Sequence, residues 1–453
     1  NACALLQNYI PVLNADAPTA DITAQKTYLL PLSAKSKNAL KALAVSYRDL
    51  LKQNPSLSIN DLVYSAGARR AHLSHRVTLR ATNELELIER LDQFANGVAD
   101  DAIIEAQVSE ARNKLAFVFT GMGPQWWAMG RELMESEPVF MASVKRSDAI
   151  FQKIAGWSIL DELQKDEAQS QITETQIAQP ANFVVQAALL DVWRSWGVVP
   201  AAVVGHSVGE VTTAYASGIL SLEQALLVSY HRSRIQKKAA NEGSMLAVGL
   251  TETEALAAIA PYHGSVSIAA INAPTAITLA GDEKALAEIS EALTAKEVFN
   301  RLLQVEVAYH SPTMDPLLDE IRSSLANLSP ANAQLPTYST VTGEQVKTTA
   351  FDAEYWCKNV REPVYFFRAL EQMIADGYED FVEIGPHPVL SSSIKECFAK
   401  HQLKGFLATS LKRKADEQNT IKSALAEIYG RGYAINWAEV ASKQFVQDRK
   451  RVG

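Results

Sequence analysis

Cysteine is scarce in this sequence. Its 453 residues include only three, Cys3, Cys357 and Cys397. An odd number of widely separated cysteines does not fit a disulfide framework, and none of them has the spacing of metal ligands. We therefore expect a protein of the reducing cytoplasm that holds no metal ion.

Long apolar runs and an excess of basic residues are also missing. No stretch approaches the roughly 20 consecutive apolar residues that span a bilayer, and no secretory signal is visible. The chain has 43 Lys and Arg against 51 Asp and Glu, a formal net charge of −8, without a basic stripe. These features argue against a membrane protein and against nucleic-acid binding. The length favours two or three packed units.

The most informative stretch that is present is Gly-His-Ser-Val-Gly at 205–209. It follows a short apolar run and precedes a helix-like stretch at 211–217. Strand, sharp turn and helix in this order form a nucleophile elbow, which holds a serine in a strained conformation with its hydroxyl exposed. The helix start directs N–H groups toward the place where an oxyanion forms in acyl transfer. Ser207 is the candidate nucleophile; the alternative is a glycine-rich turn without chemistry.

Two further stretches could complete such a site. The glycine-rich turn at 120–125 follows the apolar run 115–119 and has neither a Gly-Lys-Ser/Thr sequence nor dinucleotide spacing, so donating a backbone N–H to an oxyanion is its better use. His310 follows the nucleophile in the chain and could pair with it as a base, or it could be structural. Arg232, on a predicted helix at 222–238, could be mere surface charge.

The periodicity of apolar residues divides the chain into units. Residues 26–110 predict a small α+β unit, with a helix at 62–70 capped by Asn60 and Asp61. Strand and helix alternate from 111 onward, which predicts a parallel α/β sheet. Residues 245–303 show the order strand, helix, strand, strand, helix, strand of a ferredoxin-like insert.

Two boundaries are predicted from local signals. Gln179 and Pro180 are expected to open an amphipathic helix at 181–196. Beyond Lys395 the chain is expected to leave the sheet and to end in a helix at 417–431.

Four stretches together resemble the acyltransferase domains of modular polyketide synthases and fatty acid synthases. They are the elbow with Glu210, the loop at 119–126, Arg232 at its spacing, and Ala-Tyr-His-Ser at 308–311. The resemblance implies a parallel α/β-hydrolase-like core with a ferredoxin-like insert, preceded by a small α+β linker domain. Its implied segments are the ketosynthase end and connector (1–25), the linker domain (26–110), the acyltransferase large subdomain (111–242 and 304–400), the small subdomain (243–303) and the post-acyltransferase linker (401–453).

The resemblance also implies roles for individual residues. Ser207 is the implied nucleophile, His310 the general base and then acid, and Arg232 the partner of a substrate carboxylate. In this family a backbone carbonyl steadies the histidine, and we place it near Val364 or Tyr365. The implied oxyanion donors are the backbone N–H groups of Met122 and Val208. The implied substrate-selecting residues are Gln125, Gln179, His206, Asn272, Val307 and Tyr309.

The implied reaction is a ping-pong transfer without metal or redox cofactor. Ser207 takes an acyl group from coenzyme A, and the phosphopantetheine thiol of an acyl carrier protein takes it from Ser207, beside a ketosynthase in the same parent chain. Tyr309 favours malonyl, because a ring next to His310 would occupy the space of a 2-methyl branch. The alternatives are methylmalonyl or another acyl group, a serine acyl hydrolase or thioesterase, and a scaffold with a vestigial elbow.

Overall fold

The computed structural model describes residues 26–108, 112, 114–262, 264–347 and 350–441. The stretches at 1–25 and 442–453, which we assigned to the ketosynthase end, the connector and the end of the post-acyltransferase linker, lie outside these residues. Two compact units are present. One is drawn from Asn1–Glu110 and Tyr429–Gly453, and the other is Ala111–Ile428.

The first unit is a three-stranded antiparallel sheet in the order β1-β2-β3 with helices packed on it. Its elements are β1 (Tyr28–Ala34), α1 (Lys37–Gln53), α2 (Ile59–Ala68), β2 (His75–Ala81), α3 (Glu84–Asn96) and β3 (Ile103–Gln107). Its apolar core includes Leu40, Leu79 and Leu91, all fully buried. An α+β arrangement of this segment agrees with the periodicity of its apolar residues.

Two details of this unit differ from the sequence prediction. The cap of α2 is Ser58, whose hydroxyl accepts from the backbone N–H of Asp61, so Asn60 and Asp61 lie inside the helix. Strand β3 was not predicted. It is short and half-exposed at the sheet edge, which leaves little hydrophobic pattern to detect.

The second unit is built on a six-stranded sheet in the order β11-β10-β5-β4-β12-β13. All neighbours are parallel except the edge pair β10 and β11. Its strands are β4 (Leu115–Phe119), β5 (Ala202–Gly205), β10 (Thr337–Ser339), β11 (Glu344–Gln345), β12 (Asp380–Ile384) and β13 (Phe406–Thr409). Strands β4, β5 and β12 are buried throughout, as a parallel sheet covered on both faces requires.

An insert between β5 and β10 forms a separate four-stranded antiparallel sheet in the order β7-β8-β6-β9. Its elements are β6 (Ser244–Val248), α10 (Glu252–Ile259), β7 (Val266–Ala273), β8 (Ala276–Gly281), α11 (Glu283–Ala295) and β9 (Asn300–Leu302). The sequence of strands and helices is the one predicted for residues 245–303. Its own core includes Leu246, Leu279 and Leu286.

Helices surround the large sheet. They are α4 (Arg131–Ser136), α5 (Pro138–Ala155), α6 (Ile159–Gln164), α7 (Thr175–Ser195), α8 (Gly209–Ala216), α9 (Leu222–Gln236), α12 (Leu318–Ser324), α13 (Ala353–Arg361), α14 (Phe366–Ala375), α15 (Ser391–Lys400) and α16 (Glu417–Gly430). A short α17 (Trp437–Val440) belongs to the first unit.

Two predicted boundaries in the second unit are wrong. Helix α7 begins at Thr175 and contains Pro180, instead of opening after it. Nearly every residue of α7 from Ala178 to Trp193 is buried, so packing outweighs the usual cost of an internal proline. The chain also does not leave the sheet beyond Lys395, because β13 pairs with β12 in parallel at the edge. Four residues are too few to show a strand period.

Candidate active site

Ser207 stands on the turn between β5 and α8 with a φ of 53°. A Cβ added to Gly205 would lie 2.3 Å from the carbonyl carbon of Gly209, and one added to Gly209 would lie 2.3 Å from the carbonyl oxygen of Phe119. Only glycine therefore allows the chain to pass this closely at both positions. The result is the strained strand, turn and helix of an elbow, with the serine 8% exposed.

The hydroxyl of Ser207 contacts His310. The distance from Ser207 Oγ to His310 Nε2 is 2.7 Å, and His310 Nδ1 lies 2.9 Å from the carbonyl oxygen of Glu362. A carbonyl can only accept, so Nδ1 carries the ring proton and Nε2 is left as the acceptor that faces the serine. The steadying carbonyl is that of Glu362, so our placement at Val364 or Tyr365 is wrong by two or three residues.

His310 is neutral in this environment. It is 4% exposed, and burial, followed by the positive charge of Arg232, lowers its pKa to about 3. At ordinary pH the ring is therefore unprotonated at Nε2 and presents a lone pair to Ser207.

Arg232 lies at the other side of the serine. It is 1% exposed, and its Nη2 donates to Ser207 Oγ at 3.0 Å. Nη1 donates to the side-chain oxygens of Gln179 at 2.6 Å and Gln236 at 3.0 Å, and Nε donates to that of Asn359 at 3.0 Å. Four of its five N–H groups are thus used, all with neutral acceptors, which leaves one on Nη2.

The charge of Arg232 is not neutralised by a direct partner. Burial lowers its pKa to about 10, so the side chain is still cationic at neutral pH. Across the described residues no carboxylate contacts it directly, and Glu210, whose charge acts to raise the pKa of Arg232, reaches it only through Asn359. A buried cation is costly unless it is paired, so the arrangement is suited to an anionic ligand.

A cleft with a volume of about 880 Å³ opens over these side chains. Eight residues singled out from the sequence line it: Met122, Gln125, His206, Ser207, Arg232, Asn272, Tyr309 and His310. Three others do not. Val208 and Val307 are buried behind the lining, and Gln179 reaches the site through Arg232.

The two backbone groups singled out as oxyanion donors are free of protein acceptors. Within the described ranges, neither the N–H of Met122 nor that of Val208 donates a hydrogen bond to the protein. Val208 directly precedes α8, so its N–H is among those that a helix start leaves unsatisfied. Both groups can therefore serve an acceptor from outside.

The ring of Tyr309 is fixed in the cleft wall. Its hydroxyl lies 2.6 Å from Thr175 Oγ1, and burial raises its pKa to about 12. The backbone N–H of Thr175 donates to Glu306 at 2.8 Å. A ring anchored at its far end keeps its place in the wall of the cleft.

His206, Asn272 and Gln125 also line the cleft. His206 Nε2 lies 2.8 Å from Asn272 Oδ1, and desolvation lowers the pKa of His206 to about 4. Gln125 folds back so that its Oε1 accepts from the backbone N–H of Gly123 at 2.8 Å. This contact holds the turn that carries Met122.

The sequence reasoning missed Glu210, Gln236, Asn359 and Thr175 as parts of the site. Glu210 is fully buried and accepts from the backbone N–H of Thr340, the hydroxyl of Tyr355 and the amide of Asn359. Burial raises its pKa to about 7. Glu210 is part of the elbow motif, which is the one signal that could have pointed to this network.

Over the described ranges, no group of three or more His, Cys, Asp and Glu side chains is placed to hold a metal ion. Within the same ranges, no helix combines the length and apolar character needed to cross a bilayer.

Two models of known protein families match this chain. The model of the acyl transferase domain family matches residues 116–434, and that of the CurL-like polyketide synthase C-terminal family matches residues 28–91. The chain belongs to the acyltransferase domains of polyketide synthases.

The relatives of this acyltransferase domain are much longer proteins. The highly reducing polyketide synthase sdnO of Sordaria araneosa is 36% identical over 90% of this chain, and the hybrid PKS-NRPS synthetase pyvA of Aspergillus violaceofuscus is 35% identical over 99% of it. The chain spans 14% and 12% of these two proteins.

One solved structure matches over nearly its whole length. The acyltransferase domain from module 8 of the salinomycin polyketide synthase is 30% identical, with a TM-score of 0.85, over 91% of this chain and 98% of that one. The mixed α/β fold with a parallel sheet is thus that of polyketide synthase acyltransferase domains.

Proposed function

We propose that this acyltransferase domain loads malonyl from malonyl-CoA through an ester on Ser207 onto the phosphopantetheine thiol of an acyl carrier protein. The observation that carries the proposal is the double contact of Ser207 Oγ with a neutral histidine at 2.7 Å and a buried arginine at 3.0 Å. One contact suits proton removal, and the other places a positive charge beside the acyl group.

In the proposed first half-reaction, Ser207 Oγ attacks the thioester carbonyl while His310 Nε2 takes its proton. The oxyanion lies against the N–H groups of Met122 and Val208. The C–S bond then breaks, and the coenzyme A thiol leaves with the proton from His310. In the second half-reaction the carrier thiol attacks the ester, and its proton returns to Ser207 by way of the same histidine.

The carboxylate of malonyl would face Arg232. The remaining N–H of Arg232 can donate to that carboxylate, whose negative charge would also neutralise the buried cation. Acetyl offers no such partner and would leave the cation unpaired.

The choice of malonyl over methylmalonyl rests on Tyr309. Its hydroxyl bond to Thr175 fixes the ring in the wall of the cleft that Ser207 and His310 also line, so we expect a 2-methyl branch to meet the ring instead of open space. We infer that methylmalonyl is the disfavoured extender.

Three finer features of the fold are also proposed: the kind of insert, the kind of main sheet and the role of the 26–110 segment. We infer that the insert is ferredoxin-like, because its six elements follow the order strand, helix, strand, strand, helix, strand and its four strands form an antiparallel sheet in the order β7-β8-β6-β9. The strand, elbow and helix around Ser207 support the α/β-hydrolase-like name for the main sheet. The 26–110 segment is proposed as the linker from a ketosynthase in the parent chain.

The experiment distinguishes transfer from hydrolysis. The chain is loaded with malonyl-CoA, and a carrier protein bearing phosphopantetheine is added, with a carrier lacking the arm as the control. We expect malonyl on the armed carrier, with free malonate appearing much more slowly. Release of malonate at one rate with either carrier would show an acyl hydrolase instead.

A further inference from the structure

Three side-chain amides, Gln179, Gln236 and Asn359, surround the guanidinium of Arg232. We call them the amide cluster. Each presents its oxygen to the guanidinium, at distances of 2.6, 3.0 and 3.0 Å. Gln236 lies one turn along α9 from Arg232, whereas Gln179 comes from α7 and Asn359 from α13.

Amides and carboxylates differ in their effect on the charge of a guanidinium. Both accept hydrogen bonds from a guanidinium, but only a carboxylate cancels its charge. Carboxylates are the usual partners of buried arginine, so a cluster of three amides orients the side chain and keeps its charge for a ligand.

The three amides are not equally free on their N–H side. Asn359 Nδ2 donates to the backbone oxygen of Ser207 at 3.1 Å and to Glu210 at 2.8 Å. Gln179 Nε2 donates to Gln236 at 2.8 Å. Among the residues that the structure describes, Gln236 Nε2 has only the sulfur of Met314, at 3.8 Å. Position 236 is therefore where an acid would replace an amide with the smallest loss of hydrogen bonding.

We propose that the amide cluster determines acyl-group selection, by holding Arg232 toward Ser207 while leaving its positive charge available to the free carboxylate of the acyl donor. The inference rests on the proposed function. Gln236, Gln179 and Asn359 act through Arg232 and are positioning residues. Asn359 also joins the arginine to the backbone of the nucleophile, so the distance between charge and serine is fixed through one side chain.

The main test is Gln236→Glu in the full chain at pH 8, where a carboxyl beside an arginine is ionised. The second-order rate constants for acylation of Ser207 are measured with malonyl-CoA and acetyl-CoA. We expect the malonyl to acetyl ratio to fall by at least about tenfold, because the charge is already paired. The loss should appear as a higher KM for malonyl-CoA, with acetyl-CoA little changed.

Two controls separate charge from structure. Gln236→Met removes the hydrogen bond but adds no charge, so it measures the loss of positioning alone and should lower the ratio less than Gln236→Glu does. Gln224→Glu makes the same chemical change about 18 Å away along α9, where the side chain caps the helix by accepting from Ser221, and it should change neither rate. A second variant, Asn359→Asp with Glu210→Gln, moves an acid onto the Nε side of Arg232 while keeping one acid and one amide. It should lower the ratio as well.

The outcomes are distinct. Unchanged ratios in folded Gln236→Glu and in the double variant would overturn the inference, as would equal slowing with both donors, which is the mark of a structural role. If Gln236→Glu does not fold, the double variant decides by the same ratio. Absence of any acyl adduct on Ser207 in the wild type would contradict the proposed function itself and not this inference alone.

Discussion

Helix α9 carries two arginines in opposite surroundings. Arg234 is partly exposed, pairs with Glu320 at 2.8 Å and also donates to Ser324. Arg232, two residues earlier, is buried and has only neutral acceptors. A partly exposed ion pair contributes little to stability, whereas a buried cation without a counter-ion lowers it. The comparison teaches that burial without a direct carboxylate partner is what sets Arg232 apart from Arg234 on the same helix, and this difference supports the proposed role of Arg232 in binding an anion.

The largest expected effect separates the base from the charge. His310→Ala should slow acylation of Ser207 about 10²- to 10⁴-fold with malonyl-CoA and acetyl-CoA alike, because the base serves either acyl group. Rapid-quench measurement of coenzyme A release gives both rates, with Arg234→Ala as the unaffected control. A selective loss of malonyl transfer would show that His310 binds the carboxylate of the substrate.

The next effect is on the buried cation itself. Arg232→Ala should reduce the malonyl preference by about 2 to 5 kcal/mol, or roughly 30- to 5,000-fold in the ratio, because the carboxylate loses a desolvated partner. Arg234→Ala should leave the ratio unchanged. Competition between the two donors, measured by the mass of the adduct, tests both variants together. If both variants changed the malonyl to acetyl ratio, the proposed difference between Arg232 and Arg234 would be wrong.

A smaller effect is expected at the anchored ring. Tyr309→Ser should raise the ratio of methylmalonyl to malonyl transfer. The expected change corresponds to about 1 to 3 kcal/mol in the difference between the two activation free energies, the usual value of one methylene in a pocket. Thr175→Val, which removes the hydroxyl partner of the ring, should give a smaller shift in the same direction. An unchanged ratio in Tyr309→Ser would show that the ring does not set the choice.

The smallest effect is an expected constancy with pH. Since the pKa of His310 is lowered to about 3, the ring stays unprotonated as the pH falls through 6.5, where an ordinary histidine gains a proton. Titration of His310 should therefore not lower the second-order rate constant for acylation, which reports the free protein, between pH 8 and pH 5. A change centred near pH 7 would report Glu210, whose pKa is raised to about 7. A tenfold fall for each pH unit below 6.5 would mean that His310 titrates as an exposed histidine.

The sequence predicted the parts of this molecule that repeat a local pattern. The apolar run at 115–119 and the alternating one at 75–81 gave the bounds of β4 and β2, and the glycines of the elbow marked the turn at Ser207. Edge strands β3 and β13 were not predicted, because they are short or half-exposed. Packing around α7 overrode the signal of Pro180.

Within the site, the limit of sequence reasoning is long-range contact. The carbonyl that holds His310 belongs to Glu362, and any residue could supply it, so only the fold identifies it. Asn359 and Arg232 lie 127 positions apart, and amides are too common to draw attention. The catalytic roles of Ser207, His310 and Arg232 remain predictions, supported by the geometry that brings the three together.

The most direct test of the central claim is the location of the acyl group. The wild type and Ser207→Ala are each incubated with malonyl-CoA, digested, and mapped by peptide mass spectrometry. The account predicts a malonyl ester on Ser207 in the wild type and no stable adduct in the variant. A stable acyl adduct on Ser207→Ala, or a wild-type adduct on another residue, would contradict it.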